Sequence, residues 1–170
     1  MISKHIGFPV DSGMIGAIPV AAVEETLRDD LGHVYPVRRG MWIGGEYDRG
    51  KITFRVNEDG LGIAVGEGDS FYFGNPCYVL KNNLPETGDW TRDRNGVGYH
   101  GACVASLFNP DDVRAFRLAN GRLGLVSNTD YGDGCYDADV LLDDDGYLMR
   151  IEVYTGDDSP YEEEDYEEEE

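Results

Sequence analysis

The chain has 170 residues, of which 34 are Asp or Glu and 14 are Lys or Arg, so its formal net charge is −20. This length corresponds to about one domain, and a hydrophobic content of 41% is enough for one core. The strong negative charge argues against direct binding of nucleic acid or of an anionic membrane surface. It predicts instead a partner whose surface is basic or neutral.

The negative charge is concentrated in the last third of the chain. Residues 1–122 contain 16 acidic and 13 basic residues, whereas residues 123–170 contain 18 acidic residues and a single base, Arg150. The segment 157–170 has ten acidic residues and no aliphatic side chain, a composition that cannot offset the entropy lost on ordering. The sequence therefore predicts one β-rich domain over residues 1–156, followed by a disordered acidic tail over residues 157–170.

The start of the chain and its cysteines bear on localisation. Pro9 and Asp11 come before any sustained apolar stretch forms, so a signal peptide is not expected. The longest apolar run, residues 14–23, is interrupted by glycine and proline and is about half as long as a membrane span. The cysteines are odd in number and far apart, which favours neither a disulfide framework nor a metal knuckle: Cys77, Cys103 and Cys135. A soluble protein of a reducing cytoplasm is expected.

The first predicted element is a helix over residues 20–31. Val20, Val23, Leu27 and Leu31 recur at helical spacing, and Gly32 follows as a C-terminal stop. The rest of the chain, with 23 glycines and 11 tyrosines, favours strands and turns. Further strands are predicted at 40–46, 70–80 and 97–107, and a long loop at 82–96.

Three hairpins are predicted, because turn residues separate pairs of strand-like segments. They are strands 52–56 and 61–65 around Asn57–Gly60, strands 113–118 and 122–127 around Asn120 and Gly121, and strands 135–142 and 147–154 around Asp143–Gly146.

The last of these hairpins has one apolar and one polar face. In its first strand an apolar set alternates with Asp137 and Asp139, and in its second strand another apolar set alternates with Arg150 and Glu152. We therefore expect one buried face and one solvent face, with the hairpin at the edge of its sheet. The residues expected to be buried are Tyr136, Ala138, Val140, Leu142, Met149, Ile151 and Val153.

These elements together predict a mainly β fold. We expect a single compact antiparallel β-sandwich or partly open barrel built from hairpins, with one short helix near residues 20–31 and a disordered acidic C-terminal tail.

Three motifs resemble those of a family of small uncharacterised phage and bacterial proteins. They are Val10-Asp11-Ser12-Gly13, then Gly74-Asn75-Pro76-Cys77-Tyr78-Val79, then Val126-Ser127-Asn128-Thr129-Asp130-Tyr131-Gly132-Asp133-Gly134-Cys135-Tyr136, followed by a hairpin and a terminal strand. The family pattern is VDSG, (G)DPCYV and SS-x-YGDG-x-Y in the same order. Asn75 stands where the family usually has Asp, and Asn128-Thr129-Asp130 where it often has Ser-Ser-Gly. The resemblance spans roughly residues 8–154 and implies a small β fold, without an established activity to transfer.

The sequence assigns no catalytic residue, cofactor or metal ligand. Ser12 does not lie in a G-x-S-x-G elbow, and Cys77 lies in an apolar stretch typical of a buried cysteine. The aspartates around Gly132 and Gly134 do not follow EF-hand spacing, so a glycine turn capped by Asp side chains is favoured over an ion site. One alternative is a small-molecule-binding or hydrolytic β-barrel with a pocket around Asp130, Tyr131 and Asp133.

The charge pattern favours a non-catalytic acidic interaction protein. Alternate residues on a strand are about 6.6 Å apart, which is broadly comparable with neighbouring phosphates of a nucleic-acid strand. We therefore expect a nucleic-acid mimic that occupies the basic, nucleic-acid-binding surface of a host or defence protein, as a phage-type inhibitor in the host cytoplasm. The expected binding residues are Asp137, Asp139, Asp143, Asp144, Asp145 and Glu152 in the hairpin, and Glu162, Glu163, Glu164 and Asp165 in the tail.

Two other interpretations of the acidity stay open. An immunity-type protein that neutralises a basic toxin would use the same charges against a different partner. An acidic run can also do no more than keep a protein in solution.

Overall fold

A computed structural model describes residues 1–10, 12–23, 33–48, 50–80, 98–108, 112–118, 120–129 and 132–156. The predicted tail over 157–170 and the predicted loop over 82–96 lie outside these residues. The single-domain boundary at residue 156 stays a prediction.

Within the described residues, eleven strands form two antiparallel sheets. The first sheet has six strands in the order β1 (Ile2–Val10), β10 (Gly134–Leu142), β11 (Leu148–Tyr154), β5 (Lys51–Asn57), β4 (Trp42–Asp48) and β6 (Ile63–Ala64). The second sheet has five strands in the order β3 (His33–Pro36), β7 (Ser70–Gly74), β2 (Met14–Pro19), β9 (Leu123–Asn128) and β8 (Arg114–Arg117). A helix, α1, covers Tyr99–Phe108.

The main core lies between the two sheets. Phe54 and Ile151 of the first sheet share one hydrophobic cluster with Ile15 and Phe73 of the second, and the Phe54 and Phe73 ring centroids are 5.6 Å apart. The predicted mainly β fold is confirmed, and its architecture is a sandwich.

A second apolar cluster lies on the other side of the second sheet. Ile18, Tyr72 and Val126 pack there with Ala102 of α1. Because both faces of the sheet are covered, all six residues of β2 are buried. In the part of the chain that the structure describes, no helix is long and apolar enough to cross a membrane.

The hairpins over 113–127 and 135–154 are confirmed. Strand β8 pairs with β9, and β10 pairs with β11. The expected alternation also holds along β10, where the apolar set from Tyr136 to Leu142 is buried and Asp137 and Asp139 are partly exposed. Local turn chemistry was a sufficient guide here because each turn joins two strands that pair with each other.

The prediction that Met149 is buried is wrong. Leu141 pairs with Arg150 but Leu142 pairs with Leu148, so Met149 is the extra residue of a β-bulge. The bulge shifts the inward positions to Leu148, Ile151 and Val153, and Met149 is 36% exposed.

The expected position of this hairpin at the sheet edge is also wrong. Strand β1 pairs with β10 over nine residues, from Ile2 opposite Leu142 to Val10 opposite Gly134. On the other side, β11 pairs with β5. The hairpin is therefore internal, since each of its strands finds a second neighbour far away in sequence.

The predicted pairing of strands 52–56 and 61–65 is wrong as well. Strand β4 lies between them: β5 pairs with β4 on one side, and β6 pairs with Trp42 and Ile43 of β4 on the other. Asn57 organises the intervening turn, because its side-chain oxygen accepts hydrogen bonds from the backbone N–H groups of Asp59 and Leu61. The turn carries the chain across β4 instead of back along β5.

The helix predictions need two corrections. Residues 97–107, predicted as a strand, contain most of α1. The segment predicted as a helix over 20–31 begins with one 3-10 turn, Val20–Ala22, and Val23 is extended; residues 24–31 lie outside the described residues. The strand predicted over 70–80 ends at Gly74 and is followed by a 3-10 turn, Pro76–Tyr78.

An ion pair links the turn before β7 to the turn before β9. The Arg122 guanidinium donates to both oxygens of Asp69, at 2.8 and 3.4 Å, and the Gly66 backbone N–H donates to the same carboxylate at 2.7 Å. Burial raises the pKa of Asp69, but the hydrogen bonds and charge of Arg122 and the Gly66 amide outweigh it, so the pKa lies below its ordinary value.

We expect Arg122→Gln to lower the free energy of unfolding at pH 7 by about 1.5–3 kcal/mol, because the bonds to a buried carboxylate are charge-assisted. Since the folded-state pKa of Asp69 is lowered, this contribution is fully present above the unfolded value, about 3.9, and is lost as the pH falls through the folded value. Urea unfolding at pH 7 and pH 2.5 measures it. Arg39→Gln, which breaks an exposed pair with Glu67, is the control; a loss that does not depend on pH would contradict the assignment.

Candidate functional site

The acidic turn at the tip of the β10–β11 hairpin is held by its own first residue. Oδ1 of Asp143 accepts hydrogen bonds from the backbone N–H groups of Asp145 and Tyr147, at 2.9 and 3.0 Å. Gly146 follows with a φ of 88°, a conformation that glycine adopts without strain. The Asp143 carboxylate therefore fixes the shape of the turn.

Arg38 clamps the same turn from outside the hairpin. Its Nε donates to Asp143 at 3.0 Å and its Nη2 donates to Asp145 at 2.7 Å. Its guanidinium also lies over the Tyr147 ring, 4.4 Å from the centroid, in a cation–π arrangement. The hydrogen bonds to Asp145 and Asp143 raise the pKa of Arg38.

The same contacts act on Asp143. Desolvation raises the pKa of Asp143. The hydrogen bonds from the Tyr147 and Asp145 amides and from Arg38 lower it by more, so the pKa lies below its usual value. The carboxylate stays charged at neutral pH.

Two carboxylates of this turn face solvent. The side chains of Asp144 and Asp145 are 86% and 73% exposed. The Met1 amino group contacts Asp144. We call Asp143–Asp145 the tip acids, of which Asp144 and Asp145 are exposed and each have one cationic contact.

The acidic side chains on the strands are more enclosed. His5 lies between two of them, with Nε2 at 3.3 Å from Asp137 and Nδ1 at 3.7 Å from Asp139. The Tyr154 hydroxyl donates to Asp139 at 3.0 Å. We call Asp137, Asp139 and Glu152 the strand-face acids.

Glu152 lies near two cations. Lys51 Nζ is 3.3 Å and Arg150 Nε is 3.8 Å from its carboxylate oxygens. The structure thus brings the predicted strand-face acids together, but it also surrounds them with basic groups of β1, β5 and β11. Sequence reasoning missed His5 and Lys51 as partners because both are far from the hairpin in sequence.

The predicted tail residues, from Glu162 to Asp165, lie outside the described residues. Asp130 and Tyr131 of the alternative pocket also lie outside them, while Asp133 is exposed. The pocket therefore stays a prediction.

The three resemblance motifs meet at one end of the second sheet. Strand β2 is antiparallel to β7 and β9, so its start lies beside their ends. Ser12 contacts Asn75, and the Thr129 backbone N–H donates to the Gly13 carbonyl at 3.0 Å. The Tyr136 hydroxyl donates to the Gly132 carbonyl at 2.7 Å. Through these bonds the motif residues lock neighbouring turns together.

The described residues offer no assembled metal site. In this part of the chain, no three His, Cys, Asp or Glu side chains come together in a way that could hold an ion. The three cysteines are unbridged, and burial raises the pKa of the Cys103 thiol, although a hydrogen bond with Tyr99 lowers it in part.

Comparison with protein-family models, curated proteins and solved structures gives no match for this chain, so the function must be argued from its own residues.

Proposed function

We propose that the protein is a non-catalytic acidic binding protein that occupies a basic, nucleic-acid-binding surface of another protein. The observation that carries this proposal is the tip of the β10–β11 hairpin, where Asp144 and Asp145 project from a turn that Asp143 and Arg38 hold in one shape. An ordered pair of exposed carboxylates binds a basic surface with little further loss of conformational freedom.

The tip acids have the larger part in this proposal, and the strand-face acids the smaller. His5, Lys51 and Arg150 lie against the strand-face acids. These basic groups weaken the negative electrostatic potential that the carboxylates present to a partner. A partner would have to displace these cations to pair with the carboxylates. Asp144 and Asp145 also have cationic partners, the Met1 amino group and Arg38, but both pairs are exposed. Because exposed ion pairs contribute little free energy, a partner displaces them at small cost.

The acidic tail adds charge of the same sign. Its ten acidic residues follow β11, and they attract a basic partner over about one Debye length, roughly 8 Å at physiological salt. Such steering acts mainly on the association rate. The tail and the tip acids thus have separable kinetic roles.

We expect a bacterial partner to be retained on the immobilised full chain at low salt and released at high salt, because ionic contacts are screened. Duplex DNA or RNA should elute the same partner if it occupies a nucleic-acid-binding surface. For the retained protein, surface plasmon resonance at two salt concentrations should give slower association when Glu162, Glu163, Glu164 and Asp165 are changed together to Gln and Asn. The double variant D144N/D145N should instead dissociate faster.

The matched control is E58Q/D59N, which removes two exposed acids from another turn and should change neither rate by more than about twofold. Retention that survives high salt in both acid-neutralised variants would overturn the proposal. The identity of the retained protein separates a nucleic-acid enzyme from a basic toxin, and therefore an inhibitor from an immunity-type protein.

A further inference from the structure

The first sheet brings two arginines face to face. Arg55 of β5 and Arg150 of β11 are direct register partners, and directly opposite side chains on neighbouring strands have Cβ atoms about 4.5–5.5 Å apart. Like charges in such a pair are unfavourable. A pair of this kind is stabilised when an anion lies between its two charges.

Carboxylates of the described chain do not fully supply that anion. Arg150 Nε is 3.8 Å from Glu152, which is beyond hydrogen-bonding distance, and Lys51 lies closer to the same carboxylate. Arg55 is exposed and makes no ion pair within the described residues. The neighbouring register pairs on the same face of these strands are Thr53 with Glu152 and Lys51 with Tyr154. Neither pair places two like charges opposite each other.

Both arginines line a cleft of about 340 Å³ at the end of the sheet where β5 finishes and β11 begins. Arg38 and Met41 also line the cleft, so a third guanidinium lies there. Arg38 is already held by two aspartates, which leaves Arg55 and Arg150 as the groups able to receive a new anion.

The cleft is also lined by Asp143, whose carboxylate is held by two turn amides and by Arg38. The rest of the lining is apolar. It includes Met41, Val56, Leu141, Leu148 and Met149, and the β-bulge is what places Met149 on the surface there. Small-molecule sites combine such a lining with a few charged groups that fix the ligand's orientation, and methionine side chains adapt to varied apolar shapes. The cleft is therefore suited to a ligand with both a charged and an apolar part.

The net charge of −20 limits the ligand further. A polyanion such as nucleic acid would meet strong repulsion from the rest of the protein, whereas a ligand with one charged group meets much less. A single guanidinium group binds a carboxylate through two parallel hydrogen bonds, and a second positive charge opposite it adds to the attraction. We propose that the Arg55–Arg150 cleft binds a small organic carboxylate whose apolar body packs against Met41, Leu148 and Met149.

Isothermal titration calorimetry of the full chain with 4-phenylbutyrate tests this proposal. We expect saturable binding of one molecule per chain. Acetate lacks the apolar body and 4-phenylbutan-1-ol lacks the charge, so each should bind at least tenfold more weakly. Equal binding of the acid and the alcohol would overturn the proposal.

Two variants locate the site. R55Q and R150Q should each weaken 4-phenylbutyrate binding at least tenfold, while R117Q, which removes an exposed arginine from the other sheet, should leave it unchanged. Without ligand, R55Q should unfold at the same temperature or higher, because it relieves the repulsion between like charges. An unfolding temperature that is not lowered shows that weaker binding in R55Q does not come from a folding defect. Unchanged binding in both R55Q and R150Q would exclude the cleft.

The acidic tail is a second source of carboxylates for the cleft. A full-chain variant in which Glu162, Glu163, Glu164 and Asp165 are neutralised distinguishes a tail carboxylate from a free ligand as the natural occupant. Tighter binding of 4-phenylbutyrate in this variant supports a cleft for which the tail competes. Unchanged binding supports a cleft open to a free ligand.

Discussion

Replacement of Ile151 by alanine should lower the free energy of unfolding by about 2–5 kcal/mol, the range for truncating a large core side chain. Ile151 is fully buried and lies between its register partners Val140 and Phe54. Both neighbours belong to ordered strands, so the cavity can collapse only in part. Denaturant unfolding followed by tryptophan fluorescence measures the loss.

Met149→Ala is the matched control, since it truncates an apolar side chain on the same strand two positions away. Its bulge position leaves it partly exposed, and we expect a loss below about 1 kcal/mol, as for most surface changes. Equal losses in the two variants would mean that β11 follows an uninterrupted alternation and that the bulge is absent.

Gly62→Ala should lower the free energy of unfolding by about 3–5 kcal/mol, because it combines an unfavourable backbone conformation with a steric clash against backbone. The φ of Gly62 is 102°, and an added Cβ would lie 1.8 Å from the carbonyl oxygen of Ile43. That oxygen belongs to β4 and cannot move without disturbing the pairing of β4 with β6.

Gly68→Ala separates the two contributions. Gly68 has a φ of 76°, and an added Cβ there would meet no atom within 4 Å, so only the conformational cost of about 1–2 kcal/mol is expected. The same unfolding measurement on both variants should show the larger loss at Gly62. Similar losses would indicate that the chain crosses β4 less closely than the structure describes.

The parts of the fold that were predicted correctly are those that depend on a few consecutive residues. Asn120 with Gly121, and Asp143–Gly146, each form a turn between two strands that pair directly. Asn57–Gly60 has the same turn chemistry, but β5 pairs with the preceding strand β4 and with β11, and not with β6. Local sequence does not show which of two neighbouring strands will be the partner.

The helix α1 was missed for a different reason. Its sequence, YHGACVASLF, contains no Asp, Glu, Lys or Arg, so it lacks the polar face that makes a helical period visible. Its buried residues include Ala102, Val104 and Ser106, and this spacing of two resembles that of a strand. Only packing against the second sheet decides the conformation.

Only the acidic residues of the candidate site could be predicted from the sequence, and not the basic groups that contact them. The acidic residues of the hairpin are adjacent in sequence and were found from it. The groups that contact them, His5, Arg38 and Lys51, come from the first third of the chain, and the opposition of Arg55 to Arg150 depends on the register between β5 and β11. No sequence pattern specifies a register across that separation.

The pairing of β1 with β10 has a consequence for how the protein is made. Residues 2–10 leave the ribosome long before residues 134–142, and at a synthesis rate of about 5–20 residues per second the first strand waits roughly 7–26 s for its partner. During that time its backbone hydrogen-bonding groups are open to other strands. Native pairing of β1 is therefore delayed until nearly all of the described chain has been translated, and chaperone access during synthesis would protect this strand most.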